Sequence, residues 1–349
     1  MDLNELKTQV GEWLKGGPEG DVVVSSRVRL ARNIAGYPFV PRASDQEIER
    51  IEELLSRKIQ GGNLAPDITY YRLDEMDHLM VEFLMERHLI SRDHADADWV
   101  RGVAFGDGER VSVMINEEDH LRLQVMRGGL RLDELWEQID ELDDKIEAEV
   151  PFACSPKYGY LTACPTNAGT GMRASAMLHL PAIVLSQEMD SVIREVQDED
   201  LTLRGLFGEG TQGTGDLYQL SNQITLGVEE PEIIQEVSEA ASHVAGLERA
   251  ARQRLHDKHK HEIHDRLSRA RDLLLSAKMI SSDEALHFLS QVRLAVEMNL
   301  MTGIPLEALN ELFLLTLPAH LQTIEDRVMS TTERNEVRAK HIRQRLSTG

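Results

Sequence analysis

Residues 164–173 read Cys-Pro-Thr-Asn-Ala-Gly-Thr-Gly-Met-Arg, and they lie between an apolar run that ends at Leu161 and another that begins at Ala174. The proline after Cys164 disfavours helical geometry at the cysteine, which predicts an extended or turning segment that presents the thiol. The two glycines allow close backbone approach to a ligand, and Arg173 offers a planar fork of donors suited to phosphate or carboxylate. The stretch has the composition of a site, although an ordinary turn with a buried cysteine is an equal alternative on these residues alone.

The composition bounds the class of protein. The chain has 349 residues, 41% of them hydrophobic and 28% charged, which is typical of a globular protein with room for two domains. Its formal net charge of −22 argues against direct binding to nucleic acid or to an anionic membrane. Two cysteines and a start without a basic-then-apolar pattern predict no disulfide framework, no signal peptide and a cytoplasmic location.

The first strongly β-like stretch, residues 21–33, carries two arginines. Alternation sends Arg27 and Arg29 to one face of an extended segment, while Val28 and Leu30 occupy the other face. Two like charges on one face favour an anion between them, and a solvated edge strand is the alternative.

Periodicity predicts the elements that surround these stretches. The predicted helices cover 2–15, 44–60 with a capping box, 74–88, 132–148 and 186–196, and the predicted strands cover 100–105, 111–116, 121–125, 152–162, 174–180 and 218–226. From Pro231 onward the pattern is helical only, beginning with a helix over 231–254. We therefore predict two domains, 1–250 and 251–349. The histidines between 256 and 264 alternate with charged residues, so a solvated helix face is favoured there over a metal site.

Two further stretches are too polar for a core. Residues 116–122, Asn-Glu-Glu-Asp-His-Leu-Arg, place three acids in a row, which favours a shared cation, with a solvated acidic turn as the alternative. Residues 204–216 are rich in glycine and include Arg204 and Glu209, which is typical of a loop that closes over a substrate, with a disordered connector as the alternative.

Together these residues permit phosphoryl transfer. Five arginines could converge from strand ends and loops on a triphosphate, with Mg²⁺ adding neutralisation. They are Arg27, Arg29, Arg122, Arg173 and Arg204. A pair of glutamates can hold a guanidinium by two-pronged hydrogen bonds, and because a guanidinium has a pKa above about 12, its attacking nitrogen needs a carboxylate base.

Four ordered motifs resemble the phosphagen (guanidino) kinase family, and among its members the bacterial protein-arginine kinases. The motifs are SSRVRLAR at 25–32, NEEDHLR at 116–122, CPTNAGTGMRAS at 164–175 and RGLFGEG at 204–210. The resemblance implies an α+β fold, with an antiparallel β-sheet flanked by helices and followed by an all-α C-terminal domain for dimerisation and phosphoarginine binding.

The resemblance also implies roles for individual residues. Glu118 would be the catalytic base, Glu209 its partner on the closing loop, and Cys164 the thiol beside the guanidinium. The five arginines would bind the phosphates of ATP, with His88 on the adenine side, and Met177 stands where metabolic members carry a second histidine. In the C-terminal domain Arg334, Asn335 and Arg338 match a phosphoarginine-binding motif, with Asn335 in place of the usual aspartate.

The implied activity is ATP- and Mg²⁺-dependent phosphorylation of exposed arginines in protein substrates by a homodimer. Few residues precede the first motif, whereas metabolic members carry a helical domain there, and this favours a protein over a small acceptor. The family's partners would be a Clp-type unfoldase or protease, an activator protein and a stress-response transcriptional repressor as client. A kinase for free arginine or another small guanidino compound, and a non-catalytic phosphoarginine-binding adaptor, remain the alternatives.

Overall fold

A single antiparallel sheet organises the first two thirds of the chain. The structure, a computed structural model, describes residues 3–7, 9–62, 64–206 and 213–347. The strands are β1 (Val23–Arg32), β2 (Thr69–Arg72), β3 (Gly102–Gly106), β4 (Val111–Ile115), β5 (Leu121–Gly128), β6 (Cys154–Ser155), β7 (Gly159–Tyr160), β8 (Met172–His179), β9 (Leu201–Gly205) and β10 (Leu217–Asn222). Within the described residues, eight of them form one sheet in the order β2-β3-β4-β5-β1-β8-β10-β9, and β6 pairs with β7.

Helices pack against the sheet and form the C-terminal part of the chain. They are α1 (Leu3–Leu6), α2 (Asp45–Gly61), α3 (His78–Glu86), α4 (Arg92–Asp96), α5 (Leu132–Glu147), α6 (Pro181–Leu185), α7 (Met189–Asp198), α8 (Glu230–Ser276), α9 (Ser282–Glu297), α10 (Leu306–Leu315), α11 (Pro318–Ile324) and α12 (Thr331–Ser347). The predicted fold class is therefore confirmed: an antiparallel sheet flanked by helices is followed by a helical region. No helix in the described ranges combines the length and the apolar character needed to span a bilayer.

The central strand β1 separates a core face from a polar face. Val28 and Leu30 are fully buried and belong to the same hydrophobic cluster as residues of α5 and α8. Arg27 and Arg29 alternate with them and are only partly buried. The alternation predicted from the sequence is present, because apolar side chains at every second position can enter one core.

Local signals place several helix ends. The predicted capping box is present at α2, where Ser44 and Glu47 satisfy each other's backbone groups. The helix predicted from residue 74 begins instead at His78, because the side chain of Asp77 accepts a hydrogen bond from the backbone N–H of Met80 and caps α3 there.

The predicted N-terminal helix over 2–15 is wrong in its extent. α1 ends at Leu6, and a separate 3₁₀ turn covers Glu12–Leu14 after the extended Gly11. Trp13 and Leu14 are buried with residues of the sheet and the C-terminal helices. The burial of these side chains therefore outweighs the helical periodicity of the sequence.

The strand β9 was not predicted at all.

The C-terminal helices share a core with the sheet. Position 250 lies inside the 47-residue helix α8, which runs on with one kink at His259. A second hydrophobic cluster joins Val24 and Leu217 of the sheet to Leu289 and Leu309 of the C-terminal helices. The buried Arg293 of α9 donates to the backbone oxygens of Gly20 and Asp21.

Candidate active site

The polar face of the sheet gathers all five predicted arginines. Strand register places Arg29 of β1 directly opposite Arg173 of β8, and Arg122 of β5 opposite Ala31. On the other side, Arg204 of β9 lies opposite Gln219 of β10. Because cross-strand partners and every second residue share a face, the five guanidinium groups extend from the same side of the sheet.

These like charges act on one another. Burial and the charges of Arg122 and Arg173 lower the pKa of Arg27 to about 10. Burial and the charges of Arg27, Arg122 and Arg173 hold the pKa of Arg29 well below its ordinary value. Burial together with Arg204 and Arg122 lowers the pKa of Arg173. Arg122 is paired with Glu117, whereas Arg27, Arg29 and Arg173 form no ion pair with a carboxylate of the described residues, so an anion would stabilise this cationic face.

Hydrogen bonds orient the arginines without neutralising most of them. Arg27 donates to Gln219 Oε1 at 2.6 Å, and Arg173 donates to Ser221 Oγ at 3.0 Å. The buried Nε of Arg29 meets no hydrogen-bond partner within the described part of the chain. An unsatisfied buried donor among like charges fits the phosphates of a nucleotide, whose oxygens accept such bonds.

The acidic stretch forms a tight turn between β4 and β5 that separates its three carboxylates. Asn116 has a φ of 58°, and its side chain donates to the backbone oxygens of Ile48 and Val100. Glu117 is buried and accepts hydrogen bonds from Ser91 and Arg122. Glu118, by contrast, is exposed. Only one of the three acids is therefore directed toward solvent.

The surroundings of Glu118 suit a proton acceptor. Partial burial and the neighbouring charges of Asp119 and Glu117 raise the pKa of Glu118, and Arg122 opposes that shift. Glu117 differs from it: although burial pushes its pKa up, the charge and hydrogen bond of Arg122 bring that pKa below the ordinary value. A carboxylate with a raised pKa is a better base than its paired neighbour.

Asp119 joins the acidic turn to the loop that carries the thiol. Its carboxylate accepts hydrogen bonds from the backbone N–H of Ala163 at 2.7 Å and from Asn33 Nδ2 at 2.5 Å. Asn33 Oδ1 in turn accepts from the backbone N–H of His120. Cys164 directly follows Ala163, so this buried network brings Glu118 and the thiol into neighbouring turns.

The thiol lies at the start of a short 3₁₀ turn, Pro165–Asn167, and is partly exposed as the sequence predicts. Its sulfur lies 3.0 Å from Thr166 Oγ1. The two glycines of the loop approach protein backbone: a Cβ on Gly171 would lie 2.7 Å from the carbonyl oxygen of Ala31, and one on Gly169 would lie 2.0 Å from that of Thr225. Their role in the structure is thus to pack the loop against strand β1 and against the segment that follows β10.

His88 lies just after α3 and lines a cavity together with Arg27 and Arg29. Burial and the charges of Arg27 and Arg29 lower its pKa to about 3, so the ring is neutral at physiological pH.

Glu209, the predicted second carboxylate, lies outside the described residues, between Leu206 and Gly213.

Of the three residues predicted to bind phosphoarginine, Arg334 and Asn335 are half-buried and Arg338 is buried. Arg338 is buried, and its guanidinium donates to the backbone oxygens of Thr316 and Ile280 and to Asn335 Oδ1. Arg334 is half-buried and donates to the backbone oxygen of Met329. The guanidinium of Arg338 therefore holds α12 against its neighbours, and Arg334 is the more accessible of the two.

Sequence reasoning missed the residues that orient the site. Gln219 and Ser221 hold arginines, and Asn33 and Asp119 hold the two turns together. Asn33 and Asp119 are separated by 86 positions. Asp119 lies within the acidic motif, but the sequence around either residue does not indicate that the two form a hydrogen bond.

Two family models match this chain. The first is described as "ATP:guanido phosphotransferase, C-terminal catalytic domain" and matches residues 49–251. The second is described as "Protein-arginine kinase McsB C-terminal domain" and matches residues 260–349. Together they cover the strands of the sheet other than β1, and most of the C-terminal helices.

Curated relatives match over nearly the whole length. A protein-arginine kinase of Halothermothrix orenii is 43% identical over 99% of this chain and 100% of the relative. One of Symbiobacterium thermophilum is 42% identical over 99% and 100%, and one of Bacillus velezensis is 39% identical over 98% and 94%.

Solved structures resemble about two thirds or more of the chain. A lombricine kinase superposes with a TM-score of 0.58 at 26% identity, covering 71% of each chain. The duplicated taurocyamine kinase from Schistosoma mansoni with bound transition state analog components gives a TM-score of 0.59 at 27% identity. That match covers 71% of this chain and 35% of the duplicated enzyme.

Proposed function

The chain belongs to the ATP:guanido phosphotransferase family, and from that membership we propose that it transfers the γ-phosphoryl group of ATP to arginine side chains of proteins. The relatives that match over their full length carry the name protein-arginine kinase, and the C-terminal match is to the domain of that same enzyme class. The observation that carries the proposal is the face of five arginines beside the exposed Glu118.

The arginine face would bind the donor. Arg27, Arg29, Arg122, Arg173 and Arg204 would hold the phosphate oxygens, and the unsatisfied Nε of Arg29 would gain an acceptor. Phosphoryl transfer depends chiefly on positioning and on stabilising negative charge, which is what preorganised guanidinium groups supply. Mg²⁺ bound to the phosphates would add neutralisation, and because it retains water and phosphate ligands, the protein needs no cage of its own for it.

The acceptor would enter beside Glu118 and Cys164. The carboxylate of Glu118 would take the proton from the attacking guanidinium nitrogen as the nitrogen–phosphorus bond forms. The bond between the γ-phosphorus and the bridging oxygen breaks, and ADP leaves with the electron pair. Cys164 would orient the guanidinium, with Glu209 as a second carboxylate. Glu117 stays paired to Arg122, which supports Glu118 as the base.

The C-terminal domain would bind phosphoarginine proteins through Arg334, Asn335 and Arg338 and would form the homodimer. The amide oxygen of Asn335 accepts a hydrogen bond from Arg338. Asn335→Asp would put a negative charge at this position, and a phosphoarginine guanidinium should then bind more strongly. Fluorescence anisotropy with a phosphoarginine peptide measures this. An unchanged affinity would place the site elsewhere on the chain.

The wider role follows from the proposed activity. Phosphoarginine would mark cytoplasmic client proteins for a Clp-type unfoldase or protease. A stress-response transcriptional repressor would be among these clients. An activator protein would control the kinase. Light scattering of the purified chain tests the dimer, and affinity capture with a phosphorylated client tests the protease partner.

Mass spectrometry under conditions that preserve P–N bonds tests the activity directly. A protein substrate incubated with the purified chain and Mg-ATP should acquire phosphoarginine, whereas the Glu118→Gln variant should leave it unmodified. Comparable transfer to free arginine would favour a small-molecule guanidino kinase. Client binding without any phosphoarginine would favour a non-catalytic adaptor and would contradict the proposal.

A further inference from the structure

The cavity beside the arginine face has a second wall that comes from the C-terminal helices. Its volume is about 890 Å³, which suits a small-molecule ligand. Arg27 and Arg29 line it on the sheet side, and Leu317, Pro318 and Gln322 line it on the C-terminal side. One cavity thus joins the cationic face to residues of the region that the C-terminal family model matches, 260–349.

An apolar recess adjoins this cavity. The two share Glu86, His88, Leu206 and Leu317 as lining residues, and the recess is otherwise surrounded mainly by hydrophobic side chains. Those side chains include Trp13, Val24, Met177, Leu217 and Phe313. The cavity is therefore cationic where the arginines lie, and Leu317 stands where it meets the apolar recess, whose own volume is only about 20 Å³. A nucleotide has the same asymmetry, with an anionic tail and a flat base.

Hydrogen bonds from two sides hold Leu317 in place. The carbonyl oxygen of the preceding Thr316 accepts from Arg338 Nε at 2.7 Å. The backbone N–H groups of Ala319 and His320 each donate to the carboxylate of Glu86 at 2.8 Å. Glu86 ends α3, and His88 follows it by two residues. The carboxylate therefore couples the start of α11 to the histidine that lines the same cavity.

His88 lines both the cavity and the recess together with Leu317. Its ring stands edge-on to Trp13, with centroids 5.1 Å apart, and it is uncharged at neutral pH because burial and the two arginines lower its pKa to about 3. The position expected for a second histidine is occupied by Met177, which lines the recess. A polarizable thioether at that position keeps this end of the cavity apolar.

We propose that the segment Leu317–Gln322 forms the wall of the pocket for the adenosine half of ATP, with Leu317 packed against the base. This inference rests on the proposed function, since it requires the triphosphate to lie on the arginine face. It makes Leu317 a specificity-determining residue contributed by the C-terminal helices. The base is held by contact with the apolar wall, and the phosphates are held by the arginines.

The test compares ATP with inorganic tripolyphosphate, which carries the anionic tail but no adenosine. Isothermal titration calorimetry with Mg²⁺ measures both ligands on the full chain. Leu317→Ala should weaken ATP binding about tenfold through lost apolar contact, and it should change tripolyphosphate affinity less than about twofold. Leu315→Ala is the matched control, because Leu315 lies two residues away and lines a separate groove; both affinities should stay at the wild-type level.

A second measurement needs no variant, which matters because Leu317 also belongs to a hydrophobic cluster. Hydrogen exchange on the wild-type chain should show the amides of residues 317–322 protected by Mg-ATP and not by Mg-tripolyphosphate. Equal protection by both ligands, or an unchanged ratio of the two affinities in Leu317→Ala, would overturn the inference and leave the proposed function standing. A wild-type chain that bound neither ligand would overturn both.

Discussion

At the scale of single residues, three adjacent carboxylates have three different environments. Glu117 is buried against Arg122, Asp119 is buried against Asn33 and the backbone of Ala163, and Glu118 is exposed. The left-handed backbone at Asn116 sets the turn that separates them. One carboxylate is consequently available to a substrate, while its neighbours hold an arginine and a loop.

Replacing Glu118 with glutamine keeps the shape of the side chain and removes the base. We expect phosphoryl transfer to fall by roughly 10²–10⁴-fold, and ATP affinity to change little, because the arginine face is intact. Because the pKa of Glu118 is raised, the acidic limb of the wild-type kcat/KM profile should lie above the ordinary range of a glutamate. Glu141→Gln, on the exposed side of α5, is the control. Loss of ATP binding together with transfer would indicate a folding role.

Replacing Arg173 with alanine removes one cation from the arginine face. We expect ATP to bind roughly 10–100-fold more weakly, since a hydrogen bond to a charged group contributes about 1.5–3 kcal/mol. The unliganded variant should be no less stable than the wild type, because neighbouring cations and burial already disfavour the charge of Arg173. Calorimetric titration and thermal unfolding measure the two effects. The exposed Arg194→Ala is the control, and unchanged ATP affinity in Arg173→Ala would exclude Arg173 from the phosphate site.

At the scale of elements, the contact between α3 and α11 depends on one buried carboxylate. Glu86 accepts from two backbone N–H groups of α11 and from His320 Nδ1. Burial raises the pKa of Glu86 to about 7, although the α11 backbone N–H groups and Arg338 oppose the shift. An acid with a raised pKa in the folded state binds its proton more tightly there than in the unfolded chain.

That shift predicts a pH dependence of stability with a definite sign. The free energy of unfolding should fall as pH rises from the unfolded pKa of about 4.3 to the folded pKa of about 7, and it should level off above that. The Glu86→Gln variant should lose this pH dependence. In the wild type, the total decrease in the free energy of unfolding amounts to a few kcal/mol at most. Urea unfolding at several pH values measures it, with the exposed Glu75→Gln as the control. Identical slopes in wild type and Glu86→Gln would refute the assignment.

At the scale of the whole molecule, the C-terminal helices are part of the same packed body as the sheet. Helix α8 passes through position 250 without a break, and α9, α10 and α12 contribute to a cluster that includes Trp13 and Leu217. The buried guanidinium of Arg293 contacts His179 of β8. Separation at the predicted boundary would expose apolar surface and leave a buried arginine without its partners.

A chain truncated after residue 250 should therefore fail to fold cooperatively. We expect weak near-ultraviolet circular dichroism, dye binding to exposed apolar surface and no sharp thermal transition. A chain lacking only residues 348 and 349 serves as the control. If the 1–250 fragment instead unfolded cooperatively and bound ATP with wild-type affinity, the two predicted domains would be independent folding units.

The sequence by itself determined most of the elements and the residue types of the candidate site. Alternation in β1 and the capping box of α2 are local patterns, and local patterns report which face of an element is buried. The same alternation placed Arg27 and Arg29 together on the open face. The motifs also identified the acidic turn and the thiol loop as polar stretches outside the core.

Only the tertiary structure decided how those stretches meet. It exposed Glu118 and buried Glu117, turned the loop glycines toward backbone, and broke the N-terminal helix to bury Trp13. It also brought Glu86 to Ala319, a contact across 233 positions that places a C-terminal wall on the cavity. Such contacts depend on packing between distant segments, and periodicity along the chain carries no information about which distant segments will pack together.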